Sequence, residues 1–387
     1  MKKIAFVINS LAGGGAEKVV TILISQLAQK GTQADLICLE KNDFYTQDKN
    51  IKITYLSNFK GDESGILKLL YLPIFAYKLK KYLKANPEIQ IVQSHVYRAN
   101  YVNILAKLFG SNHKSQIVNH SRVSHYKDDG LLGKINLFLV KKLYAKADLI
   151  ILIANAMKSD MNRLFKFKNR QMVIHNPYDI QNIEQLSKDK VEDFEFKKDK
   201  RYIVSLGRLI ELKRNQDLIY ALKNLPLNVE VLFIGDGEKK EYLKNIAQKN
   251  GVENRVHFLG KKLNPFKYML HCDIFVSCSS TEGFPNVLIE AMVCGLPIIS
   301  TDCISGPREM LSPSTDFNQQ IKDDIEEAKF GILFPVGSVE FLEKALKNLL
   351  NNNYKLDNYK LLSKVRANDF STNRIVPQYM EVLECVE

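Results

Sequence analysis

The chain has 387 residues, of which 45% are hydrophobic and 25% charged, and its formal net charge is +12. This composition is typical of a globular protein of about two domains, and no apolar run approaches the roughly 18 residues of a membrane-spanning helix. Six scattered cysteines without a C-x-x-C pair exclude a zinc or disulfide framework and indicate a reduced, cytoplasmic protein. The basic excess lies in residues 1–180, with 27 Lys and Arg against 13 Asp and Glu, which predicts an anionic partner for that half.

Strands and helices alternate along the predicted chain. The first apolar run is interpreted as a strand instead of a secretory signal, because it is short and leads into glycines. The strands predicted in the first half are residues 4–9, 34–40, 89–95, 115–121 and 148–155. Helix-length segments separate them, such as residues 16–31, which Gly31 ends.

The same alternation restarts after a polar, charge-rich segment, residues 177–200, which we interpret as a linker. The strands predicted there are residues 201–208, 229–237, 255–260, 272–278, 296–302 and 331–336. Such alternation predicts a parallel, doubly wound sheet in each half. The predicted fold class is therefore α/β with two Rossmann-like domains, and ligands are expected beyond the carboxyl ends of the strands.

Residues 282–297, EGFPNVLIEAMVCGLP, carry two carboxylates in an otherwise apolar stretch. Pro285 suits the first turn of a helix that Gly295 ends, and the unpaired N–H groups at the helix start favour an anion. Glu282 precedes this helix and Glu290 lies about a turn inside it. The pattern fits a nucleotide-sugar, with phosphates at the helix end and a carboxylate on the ribose hydroxyls. Internal capping or pairing of Glu290 is the alternative.

Three further features stand at predicted strand ends. Residues 10–20, SLAGGGAEKVV, contain three glycines that let a backbone approach a diphosphate, although a tight strand–helix turn explains them equally. Arg208 and Lys213 suit a pyrophosphate leaving group, with solvated surface charges as the alternative. His120 and His95 also end strands, where a structural role is the commoner one.

In this order, the motifs resemble the retaining glycosyltransferases of family four, which have the GT-B fold, over nearly the whole chain. The residues that carry the resemblance are Gly14, Gly15, Ala16, Glu17, His120, Gly207, Arg208, Lys213, Gly235, Asp236, Gly237, Phe258, Leu259, Gly260, Glu282 and Glu290. The resemblance implies two Rossmann-like domains that face each other across a cleft. Residues 1–180, completed by a helix at 371–387, would bind the acceptor, and residues 181–370 would bind the nucleotide-sugar.

The resemblance also implies roles for single residues. Glu282 would contact the donor sugar, Glu290 the ribose, Arg208 and Lys213 the diphosphate, and His120 the transferred hexose. The expected catalytic residues are His120, Glu282, Arg208 and Lys213. The expected donor-binding residues are Gly14, Gly15, Gly207, Arg208, Lys213, Gly235, Leu263, Glu282, Gly283, Phe284, Pro285, Asn286, Val287 and Glu290. Transfer is expected with retention, from a UDP-sugar as donor substrate and without a metal or cofactor.

Residues 10–20, 264–270, 282–295 and 300–311 are similar to those of bacterial N-acetylgalactosaminyltransferases that extend glycans on undecaprenyl diphosphate. The resemblance implies transfer of a hexose or N-acetylhexosamine, with GalNAc favoured, to a lipid-linked oligosaccharide. Galactosyl or GlcNAc transfer in lipopolysaccharide or capsule assembly, and a GT-B-fold UDP-sugar epimerase, are the alternatives. A two-lobed binding protein would normally be exported, and nucleic-acid binding is not expected because aromatic-interleaved basic motifs are missing.

Two basic and apolar segments, residues 65–84 and 131–146, predict contact with an anionic membrane surface. Pro73 is expected to divide or kink the first. The lysines expected at the membrane are Lys78, Lys80, Lys81 and Lys84, and the apolar residues beside them are Ile66, Leu69, Leu70, Leu72, Phe75, Leu79 and Leu83. The predicted location is cytoplasmic and peripheral on the inner face of the plasma membrane, with ordinary surface helices as the alternative.

Overall fold

The computed structural model describes residues 3–12, 14–42 and 52–384. The chain divides into two compact units, one of Met1–Pro177 with Thr372–Glu387 and the other of Tyr178–Ser371. Each unit contains one seven-stranded sheet with helices between its strands. The predicted α/β class with two Rossmann-like domains is therefore confirmed.

The first unit follows the predicted alternation. Its strands are β1 (Lys3–Ile8), β2 (Ala34–Cys38), β3 (Ile53–Tyr55), β4 (Ile89–His95), β5 (Lys114–Asn119), β6 (Leu149–Leu152) and β7 (Arg170–Val173). Its first helices are α1 (Gly15–Gln29), α2 (Gly65–Leu70), α3 (Leu72–Ala85), α4 (Tyr97–Leu108), α5 (Gly130–Leu143) and α6 (Asn155–Leu164). Short 3-10 turns lie at Val123–Lys127 and Tyr144–Lys146.

The second unit repeats this architecture. Its helices are α7 (Ile180–Ser187), α8 (Asn215–Leu222), α9 (Lys240–Lys249), α10 (Phe266–Met269), α11 (Asn286–Val293), α12 (Pro307–Leu311), α13 (Val339–Leu350) and α14 (Asn353–Ala367). Its strands are β8 (Arg201–Leu206), β9 (Val229–Ile234), β10 (Val256–Gly260), β11 (Ile274–Ser277), β12 (Ile298–Thr301), β13 (Glu326–Ala328) and β14 (Gly331–Phe334), with 3-10 turns at Glu211–Lys213, Glu253–Arg255 and Asn368–Phe370. The chain then returns to the first unit as α15 (Thr372–Glu384).

Both sheets are doubly wound, and their first five strands have the same order. The first has the strand order β3-β2-β1-β4-β5-β6-β7 and is parallel throughout, and the second has the order β10-β9-β8-β11-β12-β14-β13. The edge strand β13 of the second sheet runs antiparallel to its neighbour. The direction of strand addition reverses between β1 and β4 and between β8 and β11. These are the topological switch points at which such sheets bind ligands.

Apolar burial explains why these segments form the elements. In β1, Ala5 to Ile8 are completely buried, as expected for a central strand covered on both faces. In α1 the buried residues recur every three or four positions, which places one stripe of the helix on the sheet. The five cysteines among the described residues are buried and carry free thiols, and Cys385 lies outside those residues.

Of the segment 177–200, which was predicted as a linker, all residues after Pro177 belong to the second unit. The segment contains α7, whose Ile183 is buried, and the ring of Phe196 packs edge-on against Tyr202 with centroids 4.9 Å apart. The linker prediction was wrong because a few anchoring apolar side chains among many charged ones give little signal in composition. The chain crosses between the units at Tyr178 and Ser371, which form a parallel β-bridge with each other.

Candidate functional site

The switch point of the second sheet carries a small depression between the loops that follow β8 and β11. The residues that line it are Ser205, Leu206, Gly207, Arg208, Leu209, Lys213, Asn215, Ser277, Cys278, Ser279 and Val287. Gly207, Arg208, Lys213 and Val287 are among the residues predicted to bind the donor. The serines and Asn215 were missed, because single polar residues at strand ends carry no distinctive sequence pattern.

Lys213 and Glu282 form an ion pair beside this depression. The Lys213 Nζ lies 2.5 Å from Glu282 Oε1, and their side chains are only 25% and 12% exposed. The neighbouring carbonyl of Leu212 accepts hydrogen bonds from Ser280 N at 2.9 Å and Ser280 Oγ at 3.1 Å. Two predicted catalytic residues are therefore held together by their ion pair and by the hydrogen bonds from Ser280 to the Leu212 carbonyl, which join their loops.

The loop that contains Glu282 is fixed by a second loop, residues 302–306. The carbonyl of Gly283 accepts hydrogen bonds from Ser305 Oγ at 2.7 Å and Gly306 N at 2.9 Å. A Cβ on Gly306 would lie 2.4 Å from Pro285 Cδ, so only glycine allows this approach. Ser305 itself has a φ of 89°, an uncommon conformation for a residue with a side chain.

Helix α11 begins immediately after this loop, as predicted. Pro285 is its N-cap residue, and Gly295 follows its end with a φ of 74°. Asn286 accepts a 2.6 Å hydrogen bond from the Tyr178 hydroxyl, and the ring of Phe284 is buried against Phe370. These two predicted donor-binding side chains therefore also hold the loop in place. A ligand would meet the backbone at this helix end more readily than the phenyl ring.

Glu290 lies in the second turn of α11 and is 6% exposed. Its burial agrees with the apolar sequence around it. The thiol of Cys294, one turn further, has its pKa raised to about 12, chiefly by burial and secondarily by the Glu290 carboxylate. The position of Glu290 inside the helix is thus as predicted, whereas its ribose-binding role stays a prediction.

Gly235 follows β9 and touches the loop after β8. A Cβ at this position would lie 1.9 Å from the Gly207 carbonyl oxygen, and the φ of 143° further disfavours a side chain. Gly237 is similarly close to Leu209, because a Cβ on it would lie 2.4 Å from the Leu209 carbonyl oxygen. Both glycines allow two loops to meet, and Gly235 thereby supports the wall of the depression. Leu263, also predicted to bind the donor, lies outside the lining residues and is 86% exposed.

The glycine motif of the first unit is described only in part, since residue 13 lies outside the described residues. Gly14 is the N-cap residue of α1, and Gly15 is its first helical residue. A Cβ on Gly14 would lie 2.4 Å from Glu17 Oε2. Burial raises the pKa of the Glu17 carboxyl group. The motif therefore sits between β1 and the start of α1, as its sequence indicated, and the strand order places it beside the β1–β4 switch point.

His120 follows β5 and contacts His95 at the end of β4. The His95 Nδ1 and His120 Nε2 atoms are 2.9 Å apart. Burial lowers the pKa of His120 to about 3, and burial with the neighbouring His120 lowers the pKa of His95 well below its usual value. Both imidazoles are consequently neutral at pH 7. His95 has a partner that sequence alone did not assign.

The predicted membrane segment forms two helices that meet before Pro73, in agreement with the expected break. Four of the seven apolar residues predicted at the membrane are buried core residues, so their placement there was wrong: Leu72, Phe75, Leu79 and Leu83. The reason is that α3 directs one face to the sheet. The lysines also differ: Lys78 Nζ lies 2.5 Å from the Leu56 carbonyl and Lys80 bonds the Phe109 carbonyl, whereas Lys81 and Lys84 are exposed without such a bond among the contacts described.

Within residues 3–12, 14–42 and 52–384, no helix has both the length and the apolar character needed to cross a bilayer. In the same residues, no group of three or more His, Cys, Asp and Glu side chains is arranged to hold a metal ion.

Known proteins with similar sequences and folds were identified along almost the whole chain. A family model described as Glycosyltransferase Family 4 matches residues 13–182, and one described as Glycosyl transferases group 1 matches residues 187–366. The N-acetylgalactosamine-N,N'-diacetylbacillosaminyl-diphospho-undecaprenol 4-alpha-N-acetylgalactosaminyltransferase of Campylobacter jejuni is 31% identical over 386 residues, covering 99% of this chain and 100% of the relative.

A second relative and a solved structure extend the comparison. The lipopolysaccharide 1,6-galactosyltransferase of Escherichia coli is 24% identical over 379 residues, covering 94% of this chain and 97% of the relative. The crystal structure of Anabaena HepE in complex with UDP has a TM-score of 0.74 at 20% identity, covering 99% of this chain and 100% of HepE. The full-length similarity and the two matching sheets confirm the resemblance inferred from the motifs: the chain is a member of glycosyltransferase family 4 and has the GT-B fold.

Proposed function

We propose that this glycosyltransferase moves a sugar, with GalNAc favoured, from a UDP-sugar to a glycan carried on polyprenyl diphosphate. The observation that carries the proposal is the grouping of Arg208, Lys213 and Val287, at the start of α11, around one depression at the switch point of the second sheet. Two cations and the N–H groups of a helix start are the groups that bind a diphosphate in proteins.

The donor would lie along this unit in a defined direction. Arg208 and Lys213 would face the diphosphate, and the buried Glu290 would accept hydrogen bonds from the ribose hydroxyls. Glu282 would contact the transferred sugar. Because Lys213 already pairs with Glu282 at 2.5 Å, its ammonium group would be shared between that carboxylate and the diphosphate. Such sharing would link the sugar end of the donor to its phosphate end.

We propose transfer with retention and without a metal ion. The acceptor hydroxyl attacks the anomeric carbon on the face from which UDP leaves, the bond from that carbon to the phosphate oxygen breaks, and the departing phosphate oxygen takes the hydroxyl proton. Negative charge develops on UDP in this step. Arg208 and Lys213 would stabilise that charge in place of a divalent cation.

The proposed acceptor is supported by the relatives. The name of the Campylobacter relative specifies a glycan on diphospho-undecaprenol, and that protein matches this chain over its whole length. An acceptor of this kind is anchored in a membrane. We therefore also propose that the first unit docks on an anionic bilayer surface from the cytoplasmic side.

Exposed apolar residues of α2, α3 and α5 support the docking. We name as the apolar patch Ile66, Leu70, Ile74, Tyr77, Leu131, Leu132, Ile135 and Phe138, whose exposure ranges from 37% to 75%. A Cβ on Gly65 would lie 3.5 Å from Leu132 Cδ1, so α2 and α5 begin side by side. The exposed lysines on the same helices include Lys81, Lys84, Lys134, Lys141 and Lys142. Apolar insertion and attraction to anionic headgroups add in such a surface.

Activity with defined substrates tests the proposal directly. The protein would be incubated with UDP-GalNAc and a polyprenyl-diphosphate-linked acceptor ending in GalNAc, and both UDP release and the extended glycan would be measured. We expect product only when donor and acceptor are both present, and an α-linked product if the configuration is retained. UDP-GlcNAc, UDP-Gal and UDP-Glc serve as parallel donors. Product with none of the four, or sugar release independent of acceptor, would contradict the proposal.

A second donor is favoured by one observation. The Escherichia coli relative is a galactosyltransferase and matches 94% of this chain. Galactosyl transfer in lipopolysaccharide or capsule assembly is therefore the alternative. It predicts a preference for UDP-Gal over UDP-GalNAc in the same parallel assay.

A further inference from the structure

Three polar side chains of the first unit connect α15 to His120. Gln93 and His95 lie on β4, Gln116 lies on β5, and His120 follows β5. Gln93 and His95 are 0% exposed and Gln116 is 4% exposed, so their polar atoms need partners inside the protein. Each hydrogen bond in this series determines which atom of the next side chain donates and which accepts. The donor and acceptor at every step therefore follow from the first bond.

The starting point is the backbone carbonyl of Val382 in the last turn of α15. Gln116 Nε2 lies 2.5 Å from this oxygen. A carbonyl only accepts hydrogen bonds, so the amide nitrogen of Gln116 must face it and the amide oxygen must face away. Carbonyls in a last helical turn lack partners within their helix, so the Gln116 amide also satisfies one of these groups.

The orientation of the Gln116 amide determines the orientation of the Gln93 amide. Gln116 Oε1 can only accept, so the atom of Gln93 that lies 2.8 Å away is its amide nitrogen. The amide oxygen of Gln93 then faces His95 Nε2 at 3.2 Å. His95 must donate to it, and its hydrogen is therefore on Nε2.

The two histidines complete the sequence of bonds. A neutral imidazole has one N–H group and one lone pair, and both histidines are neutral at pH 7 because burial lowers their pKa values. With its hydrogen on Nε2, His95 can only accept at Nδ1. The atom 2.9 Å from this nitrogen is His120 Nε2, which must donate. The lone pair of His120 is left on Nδ1.

We propose that Gln116, Gln93 and His95 are positioning residues that fix His120 with its hydrogen on Nε2, so that Nδ1 accepts a hydrogen bond from a hydroxyl group of the transferred sugar. His120 is partly exposed, as a residue that meets a substrate must be. A phosphate oxygen at neutral pH has no hydrogen to offer to this lone pair. The fixed tautomer would therefore select a hydroxyl over an anion at this point. The contact with the sugar rests on the proposed function, whereas the tautomer does not.

Nitrogen-15 NMR of the histidine side chains tests the tautomer on the whole protein without any substrate. The chain contains 7 histidines, and the signals lost in His120→Asn identify those of His120. We expect a protonated Nε2 and an unprotonated Nδ1 at neutral pH. A hydrogen on Nδ1 of His120 in the unmodified protein would overturn the proposal.

Two substitutions of buried glutamines are expected to give opposite results. Gln116→Glu still offers Gln93 a carboxyl oxygen that accepts, because burial favours the protonated acid and its O–H group donates to the Val382 carbonyl. The direction of the hydrogen bonds and the His120 tautomer are therefore retained. Gln93→Met has a similar volume but offers His95 no acceptor, so the His120 signals should shift towards an average of both tautomers. We call the series of hydrogen bonds from Val382 through Gln116, Gln93 and His95 to His120 the relay. Identical His120 signals in these two variants would contradict it. If one variant does not fold, the unmodified protein and the other variant still decide.

Kinetics separate this inference from the proposed function. In Gln93→Met we expect kcat/KM for the UDP-sugar to fall about three- to tenfold, the range for one hydrogen bond, with unchanged affinity for UDP, which lacks the sugar. If NMR gives the expected tautomers but turnover matches the unmodified protein, the relay stands. The contact between His120 and the sugar is then refuted instead.

Discussion

The ammonium nitrogen of Lys213 lies 2.5 Å from a carboxylate oxygen of Glu282, and neither side chain is more than 25% exposed. The proposed function gives these two partners different ligands, because the lysine faces the diphosphate and the glutamate faces the sugar. Their substitution should therefore affect different measurements, even though they touch each other.

Glu282→Ala should reduce turnover far more than UDP affinity. A hydrogen bond to a charged group contributes about 1.5–3 kcal/mol, so kcat should fall roughly ten- to a hundredfold or more. UDP binding should be unchanged or tighter, since Lys213 loses its competing partner. Calorimetry with UDP and an assay of UDP release measure the two quantities. An equal loss in both would contradict the assigned role of Glu282.

Lys213→Met should instead weaken UDP binding about tenfold or more, because it removes a charge from the diphosphate. The matched control is Lys347→Met, which also removes a lysine from an ion pair, with Glu343 on α13. That variant should bind UDP like the unmodified protein. A similar loss of affinity in both variants would point to a general charge effect.

Glu290→Gln keeps the size of the side chain but removes its charge. If the ribose hydroxyls bind this carboxylate, UDP affinity should fall by about one to two orders of magnitude. Glu230→Gln is the control: Glu230 is 7% exposed and pairs with Lys200 and His257 at the start of β9, at the opposite end of the strand from the loops of the depression. We expect the control to lower thermal stability without affecting UDP. Unchanged UDP binding in Glu290→Gln would make Glu290 structural.

Gly235→Ala should destabilise the second unit and weaken UDP binding together. The new Cβ would lie 1.9 Å from the Gly207 carbonyl, which can only be relieved by moving a wall of the depression. Gly251→Ala separates this clash from backbone strain, because Gly251 has a φ of 66° with no atom near its Cβ. The control should lose only about 1–2 kcal/mol of unfolding free energy. Equal losses in chemical denaturation would show that conformation alone explains Gly235.

Chelation should leave the activity intact. Arg208 and Lys213 provide positive charge for the departing diphosphate, so a divalent cation is not required by the proposed chemistry. UDP release would be followed with EDTA, with and without added Mg²⁺. A complete loss of activity in EDTA that Mg²⁺ restores would refute metal-independent transfer.

The apolar patch should be needed for binding to vesicles. We expect the combined substitution of Ile66, Leu70, Leu131 and Phe138 by serine to abolish sedimentation with anionic liposomes, because each buried apolar side chain contributes about 1.5–3 kcal/mol. UDP affinity should be retained. A control in the second unit replaces Leu227 and Leu361, which are 81% and 68% exposed, by serine.

The lysines add an electrostatic test of the same surface. Lys81→Glu with Lys84→Glu should weaken vesicle binding, and added salt should weaken it in the unmodified protein. A variant that also changes Lys78 and Lys80 to glutamate would be a less specific test of membrane binding. Those two lysines bond backbone carbonyls, so their substitution would also disturb the fold. Unchanged sedimentation in both the serine and the glutamate variants would make these helices ordinary surface helices.

Sequence patterns predicted the central strands because these segments are buried on both faces and read as continuous apolar runs. Strands β3, β7 and β13 were missed, since they are three or four residues long and mostly half-exposed. The start of α11 was predicted from Pro285 and its end from Gly295, two residues whose backbone preferences are local. Local preference is therefore what sequence reasoning captured best.

Contacts between distant segments were not predictable in the same way. The ion pair of Lys213 and Glu282 is supported by the hydrogen bond from Ser280 to the Leu212 carbonyl. The sequence of neither loop indicates that it contacts the other. The Gln93–Gln116 bond joins two neighbouring strands through side chains that composition would place on a surface. Only the register of β4 against β5 makes them partners.

The parallel bridge between Tyr178 and Ser371 has a consequence for dissecting the protein. Because the chain leaves and re-enters the first unit at these adjacent residues, the second unit is an insertion whose two ends lie together. Residues 178–371 are thus a candidate for autonomous expression, whereas 1–177 alone would lack α15. That helix contributes Ile375, Val376, Tyr379, Val382 and Leu383 to the core, so a C-terminal truncation would damage the N-terminal unit. A chain in which a short loop joins residue 177 to residue 372 would keep α15 and so preserve the N-terminal unit.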